Sequence, residues 1–210
     1  MAPLDKSFTE LFATLISFDT TSYKSNLPLT HFVEEYLRNF DIESHLIKNA
    51  DGTKASLFAT LGADLTVPES TPPSFEGGVA LSGHTDVVPV EGQKWESDPF
   101  TLTFKNGRFY GRGTADMKGF VACVLASVPH FKSLKLAKPI HIALSYDEEI
   151  GCFGVRPMFA ELGKSLPRPR IVIVGEPTEM KVVDAHKGPV RWLMDIKGRP
   201  AHSSMSHLGV

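Results

Sequence analysis

Six residues of this 210-residue chain carry the types and positions that chemistry needs: His84, Asp86, Asp116, Glu148, Glu149 and Glu176. His84 and Asp86 stand two apart in Gly83-His84-Thr85-Asp86-Val87-Val88, directly after the apolar run Val79-Ala80-Leu81. On an extended backbone such residues point to the same face. The pair can therefore supply a metal-binding histidine with its orienting acid, or bring both groups close to a metal. One imidazole among several carboxylates suits zinc, manganese or cobalt, and without a cysteine cluster a structural zinc finger is disfavoured. Adjacent glutamates at a strand end point in different directions. One of Glu148 and Glu149 can then bind metal while the other faces the substrate water as a general base. Each acid alone has a plainer reading. Asp116 can cap a helix, Asp147-Glu148-Glu149 can be a charged turn, and Glu176 before Pro177 an exposed turn. His202 in Ala201-His202-Ser203-Ser204 can be an ordinary loop histidine, and Cys152 a small buried thiol.

Strands and helices in alternation must position these groups. Leu4, Phe8, Leu11, Phe12, Leu15 and Ile16 recur at helical spacing, with Ser7 and Glu10 placed for a capping box. Asp19-Thr20-Thr21-Ser22 ends that helix in a polar turn, and Leu29 to Phe40 marks a second amphipathic helix. Strands are predicted at 44–47, 56–61, 79–82, 139–146 and 170–174. Helices are predicted at 120–131 and 155–162, and Asn106-Gly107 predicts a two-residue hairpin. Residues 62–78, rich in Pro, Ser, Thr and Gly, read as an inserted surface loop. The class is α/β, with a mixed, largely parallel sheet flanked by helices, in which ligands gather at the carboxyl ends of the strands.

Composition narrows the partners. Hydrophobic residues make up 42% and charged residues 22%, so the chain can bury a core. The net charge of −2 without a basic block argues against nucleic acid. No apolar run approaches the roughly 18 residues of a membrane span, and no secretory signal pattern opens the chain. Cys123 and Cys152 are expected to be reduced thiols of a cytoplasmic protein. The pattern changes near Pro189. Val190–Ile196 is strand-like, and Leu208-Gly209-Val210 stops where a new element should begin. The sequence is therefore expected to be cut, with 1–188 belonging to one domain and 189–210 opening another.

Four segments in this order resemble the M20 metallopeptidase family: Gly83–Val88, Gly111–Gly119, Ser145–Cys152 and Val174–Thr178. The resemblance implies a zinc-exopeptidase-like catalytic domain over 1–188 and the start of an α+β lid and dimerisation domain over 189–210. It implies two divalent ions, Zn2+ or Co2+. His84 and Glu176 would bind the first and Glu149 the second, Asp116 would bridge them, and Asp86 would orient His84. Glu148 would be the general acid/base, and His202 would reach the partner subunit's site in a homodimer of the complete protein. A cis peptide at Asp116–Met117 is implied too. Ser145–Cys152, Ala185–Gly188 and Gly198–Gly209 narrow the resemblance to the branch that removes acetyl from N2-acetylornithine, a step of arginine biosynthesis. Desuccinylation of a diaminopimelate derivative and aminoacylase activity stand as alternatives, as does a non-catalytic metal-binding or dimerisation role. A later histidine ligand of the second ion has no counterpart in the sequence, so the fragment alone is expected to be inactive.

Overall fold

The structure is a computed structural model that describes residues 6–62, 77–185, 187–188, 190, 192–195 and 197–209. The Ser7 side chain of the expected capping box, residues 63–76 of the expected loop, and His186 lie outside the described residues. The chain divides into two units, Met1–Pro177 and Thr178–Val210.

In the first unit, helices α1 (Lys6–Ser17) and α2 (Leu27–Arg38) precede strands β1 (Ser44–Lys48), β2 (Ala55–Leu61) and β3 (Val79–His84). Next come the hairpin β4 (Thr103–Lys105) and β5 (Arg108–Tyr110), then α3 (Lys118–Ser133), β6 (Ile140–Ser145), α4 (Val155–Glu161) and β7 (Ile171–Val174). The hairpin turns at Asn106 and Gly107, with φ of 53° and 73°, the left-handed pair that matches strand twist.

The five-stranded sheet has the order β1-β2-β6-β3-β7. β6 pairs in parallel with β3, and β3 with β7, whereas β2 runs antiparallel to both β1 and β6. All strands but β2 thus point the same way. Alternation along the central strands builds two cores. Leu57, Ala59 and Leu61 of β2, with Ile142 and Leu144 of β6, pack under α1, α2 and α3. Phe58 and Ala143 face the other way, against Met158 of α4 and Leu166. Burying both faces of β2 and β6 anchors the strand ends that carry the polar residues. Each fully buried Leu or Ile there contributes on the order of 1.5–3 kcal/mol. β7 closes the sheet as an edge strand, its residues about half exposed.

The second unit corrects one expectation. Val190–Ile196 forms no strand among its described residues. Trp192 is 89% exposed and Leu193 100%. β-propensity alone does not make a strand, because the ladder needs a partner for its N–H and C=O groups, and this unit has no other strand among the described residues. Its regular element is a 3-10 helix at Ser203–Leu208, kinked at Met205.

Candidate metal centre

The carboxyl ends of β3, β6 and β7 lie side by side. His84 is in register with Ser145, and Ser82 with Val174. The residues that leave these ends are the predicted acids. His84 ends β3 and is 1% exposed. Its Nε2 lies 2.9 Å from Asp116 Oδ1, 3.6 Å from Glu176 Oε1 and 3.9 Å from Glu148 Oε2. Asp116 arrives from the loop before α3, through an Asp116–Met117 peptide that is cis, as expected. The Met117 sulfur accepts the backbone N–H of His84 at 3.3 Å. Two sets of possible ligand atoms converge within 4.8 Å of one another: His84, Asp116 and Glu149, and His84, Glu148 and Glu176. Adjacent Glu148 and Glu149 thus serve different sets.

Asp86 lies against His84 with both its carbonyl and its carboxylate. His84 Nδ1 donates to the Asp86 backbone carbonyl at 2.9 Å, while carboxylate Oδ1 lies farther off, at 3.5 Å. The carboxylate also accepts the N–H of Glu148 at 3.0 Å, the N–H of Glu149 at 3.3 Å and the Ser22 hydroxyl at 2.6 Å. Cys152 is a second correction. Its thiol is exposed, 3.4 Å from Glu148 Oε1, because a positive φ at both Gly151 and Cys152 turns this stretch away from the core. Asp116 does not cap α3, whose N-cap residue is Met117.

The electrostatics are those of an acid-rich site around one base. Burial alone would lower the His84 pKa. The hydrogen bond to Asp86 and the charges of Asp86, Glu176 and Asp116 overcome it and raise the imidazole to about 9. Burial opposes ionisation of Asp86 too, but hydrogen bonds from His84, Ser22 and the Glu148 N–H hold its pKa below the usual value. Glu149 has no such donors. Burial first, then Asp116, push it up to about 7. Burial raises Glu176 as well, with Asp116 and Glu148 adding to the effect. Carboxylates crowded at a cost around one imidazole, with ligand atoms converging, fit a divalent cation, which would relieve their repulsion.

Several residues beyond the candidate ligands support the site. Asn26 donates to the Ala55 carbonyl and to Thr85, and Lys54 pairs with Asp147. Lys118 is fully buried, and its ammonium donates to the Phe18 carbonyl at 2.7 Å. Burial drives the Lys118 pKa down to about 7, against the pull of Asp19 and Asp86. Their one shared hint is a polar residue beside an apolar strand or helix start. His202 belongs to the second unit, where its Nδ1 accepts the Ser204 N–H at 3.2 Å.

Residues 80–204, more than half of the chain, match the profile of peptidase family M20/M25/M40. The chain belongs to this family. Acetylornithine deacetylase of Pasteurella multocida (strain Pm70) is 36% identical over 97% of this chain and 52% of its own length. That of Proteus mirabilis (strain HI4320) is 36% identical over 97% and 51%. The chain spans about half the length of these curated relatives. An M20 family metallo-carboxypeptidase from Sulfolobus solfataricus superimposes with a TM-score of 0.66 at 19% identity, covering 82% of this chain and 37% of that one. Human carnosine dipeptidase 1 gives 0.60 at 22% identity, covering 73% and 34%. These two likenesses are of fold. Among the described residues no helix is long and apolar enough to cross a membrane.

Proposed function

We propose that the whole protein is a metal-dependent amidohydrolase that removes the acetyl group of N2-acetylornithine, releasing acetate and ornithine for arginine biosynthesis. The observation that carries this reading is the convergence of Asp116, Glu148, Glu149 and Glu176 on the buried imidazole of His84. Relatives named acetylornithine deacetylase support the acetyl substrate.

His84 and Glu176 would hold one divalent ion, Glu149 a second, and Asp116 both, with zinc or cobalt as the metal. Both ligand sets among the described residues use the same imidazole, whose Nδ1 is already engaged by the Asp86 carbonyl. Two ions cannot share one Nε2, so the second needs a further ligand, and residues 1–210 alone are proposed to be inactive. Bound divalent ions supply Lewis acidity, polarising the amide carbonyl and making water easier to deprotonate. Glu148 supplies the proton chemistry. Its carboxylate is 38% exposed and so open to water. It takes a proton from the attacking water and returns it to the departing amine. His202 is proposed as a donor to the developing oxyanion in the partner subunit of a homodimer. The proposed compartment is the cytoplasm, and the proposed lid and dimerisation domain begins at 189.

The test is hydrolysis by the complete protein, with added zinc or cobalt, of N2-acetylornithine, N-succinyl-diaminopimelate and a simple N-acyl amino acid. A preference for the first supports the proposal. A preference for another reassigns the substrate within the family, and no hydrolysis of any leaves a non-catalytic metal-binding protein.

A further inference from the structure

The turn that carries Glu148 and Glu149 is fastened from outside the metal centre. Lys54, the residue before β2, donates from Nζ to both Asp147 Oδ1 and the Ser22 carbonyl. The pair is mostly withdrawn from water, with side chains 12% and 13% exposed. Ser22 in turn gives its hydroxyl to Asp86 Oδ2, and the same carboxylate receives the Glu148 and Glu149 N–H groups. The contacts close a ring from Lys54 through Ser22, Asp86 and Glu148 to Asp147. At the far end of the turn the Ser56 hydroxyl donates to the Gly154 carbonyl at 2.8 Å. Two residues at the start of β2, Lys54 and Ser56, therefore grip the two ends of one loop.

We propose that Lys54 is a positioning residue for Glu148 and Glu149, acting through Asp147 and the Ser22–Asp86 bridge. Its ammonium is held by the Ser22 carbonyl and Asp147 Oδ1, so its influence on Glu148 and Glu149 runs through the ring. Asp147 needs such a hold. It sits at φ 54°, a left-handed conformation that a non-glycine residue keeps only when its surroundings enforce it. Lysine supplies several donors on one charged group, so a single side chain can serve the Ser22 carbonyl and the Asp147 carboxylate together. Methionine fills similar volume and serves neither.

The effect on turnover rests on the hydrolase reading; the effect on the turn does not. The experiment is backbone amide exchange in the protein carrying Lys54→Met or Lys54→Arg. The Glu148 and Glu149 amides of Lys54→Met are expected to exchange about tenfold faster, with the β3 amides unchanged and Lys54→Arg close to wild type. A lysine that only adds general stability would lower the midpoint of unfolding and leave these two amides protected. Ser22→Ala, which opens the ring at a small neutral residue, is the second variant should Lys54→Met fail to fold, with the same expected exchange. In the complete protein loaded with zinc, Lys54→Met is expected to lower kcat about tenfold or more, with metal content and KM near wild type. Unchanged exchange at Glu148 and Glu149, or unchanged kcat in an active enzyme, overturns the proposal. A wild-type protein that hydrolyses nothing removes the hydrolase reading and leaves the exchange result to decide the positioning role.

Discussion

The Asp86 carboxylate accepts the backbone N–H of Glu148 at 3.0 Å, joining the end of β3 to the turn after β6. Two neighbouring strand ends are thereby held in one arrangement by a buried carboxylate that accepts from Ser22, Glu148 and Glu149 and lies against His84. Asp86→Asn keeps the shape but places an NH2 where only acceptors fit. It is expected to cost about 1–3 kcal/mol of stability, measured by urea unfolding, and to reduce turnover of the complete protein. An unchanged unfolding midpoint would mean that the turn holds itself.

Glu148 is proposed to differ from its neighbour in function, so its replacement should separate binding from chemistry. Glu148→Gln in the complete protein is expected to retain its metal, read by elemental analysis. Turnover should fall by about 10²–10⁴-fold, the usual contribution of a general acid/base. Loss of metal together with activity would make Glu148 a ligand instead.

The sheet was legible because its residues obey simple periods. Leu57, Ala59 and Leu61 alternate with Phe58 in the sequence and face opposite cores in the structure. Most of the acids were legible because Asp86, Glu148, Glu149 and Glu176 stand within a few residues of the end of an apolar run, whereas Asp116 stands in a glycine-rich segment before a helix. The supports of the site were not. Ser22 reads as part of a polar turn and Lys54 carries no signal, since nothing local to either announces a partner about 60–90 residues away. Nor does sequence show that His84 leans on the backbone carbonyl of Asp86, because every residue has one. Val190–Ile196 misled for the complementary reason, since strand composition is local and strand pairing is not.

Gly154 is a position where a single methyl group should disturb the site. A Cβ there would lie 2.2 Å from the Tyr146 carbonyl oxygen and 2.6 Å from the Tyr146 nitrogen, both backbone atoms. Neither can step aside without moving the loop that carries Glu148. Gly154→Ala is expected to destabilise by about 1–3 kcal/mol and to lower kcat. A variant as stable and active as wild type would show that the loop yields freely.

His141 gives the stability a pH dependence away from the metal centre. It is fully buried, with Nε2 donating to the Gly77 carbonyl at 3.1 Å and Nδ1 accepting from the Thr60 hydroxyl at 2.9 Å. Burial lowers its pKa below the ordinary 6.5, against the help of Gly77. The unfolded chain then binds the proton more readily than the folded one. This contribution is complete above about 6.5 and is lost as pH falls below that value toward the lowered folded pKa. His141→Gln, which preserves one donor and one acceptor, is expected to flatten the decline of unfolding midpoint between pH 6.5 and 5. An identical slope in both proteins would assign the decline to other groups.

Glu149 should show the opposing demands of metal binding and folding in one substitution. Burial and the Asp116 charge raise its pKa to about 7, above the ordinary 4.5. The unfolded chain therefore gives up this proton more easily. Without metal, ionisation of Glu149 opposes folding, with a penalty that grows as pH rises from about 4.5 and is complete above about 7. Partial exposure of the site screens the effect. Glu149→Gln removes the charge and nearly preserves the shape. In metal-free protein at pH 8 the variant is expected to melt at a higher temperature than wild type, and the gap should narrow at pH 5. Added zinc should reverse the order, because a ligand at free concentration c that binds only the folded state stabilises it by RT ln(1 + c/Kd), and the variant would lack a donor. The measurement is melting temperature across these four conditions. A variant less stable than wild type without metal at pH 8 would mean that Glu149 is held by interactions stronger than its repulsion from Asp116. A zinc response equal to wild type would remove Glu149 from the ligand set.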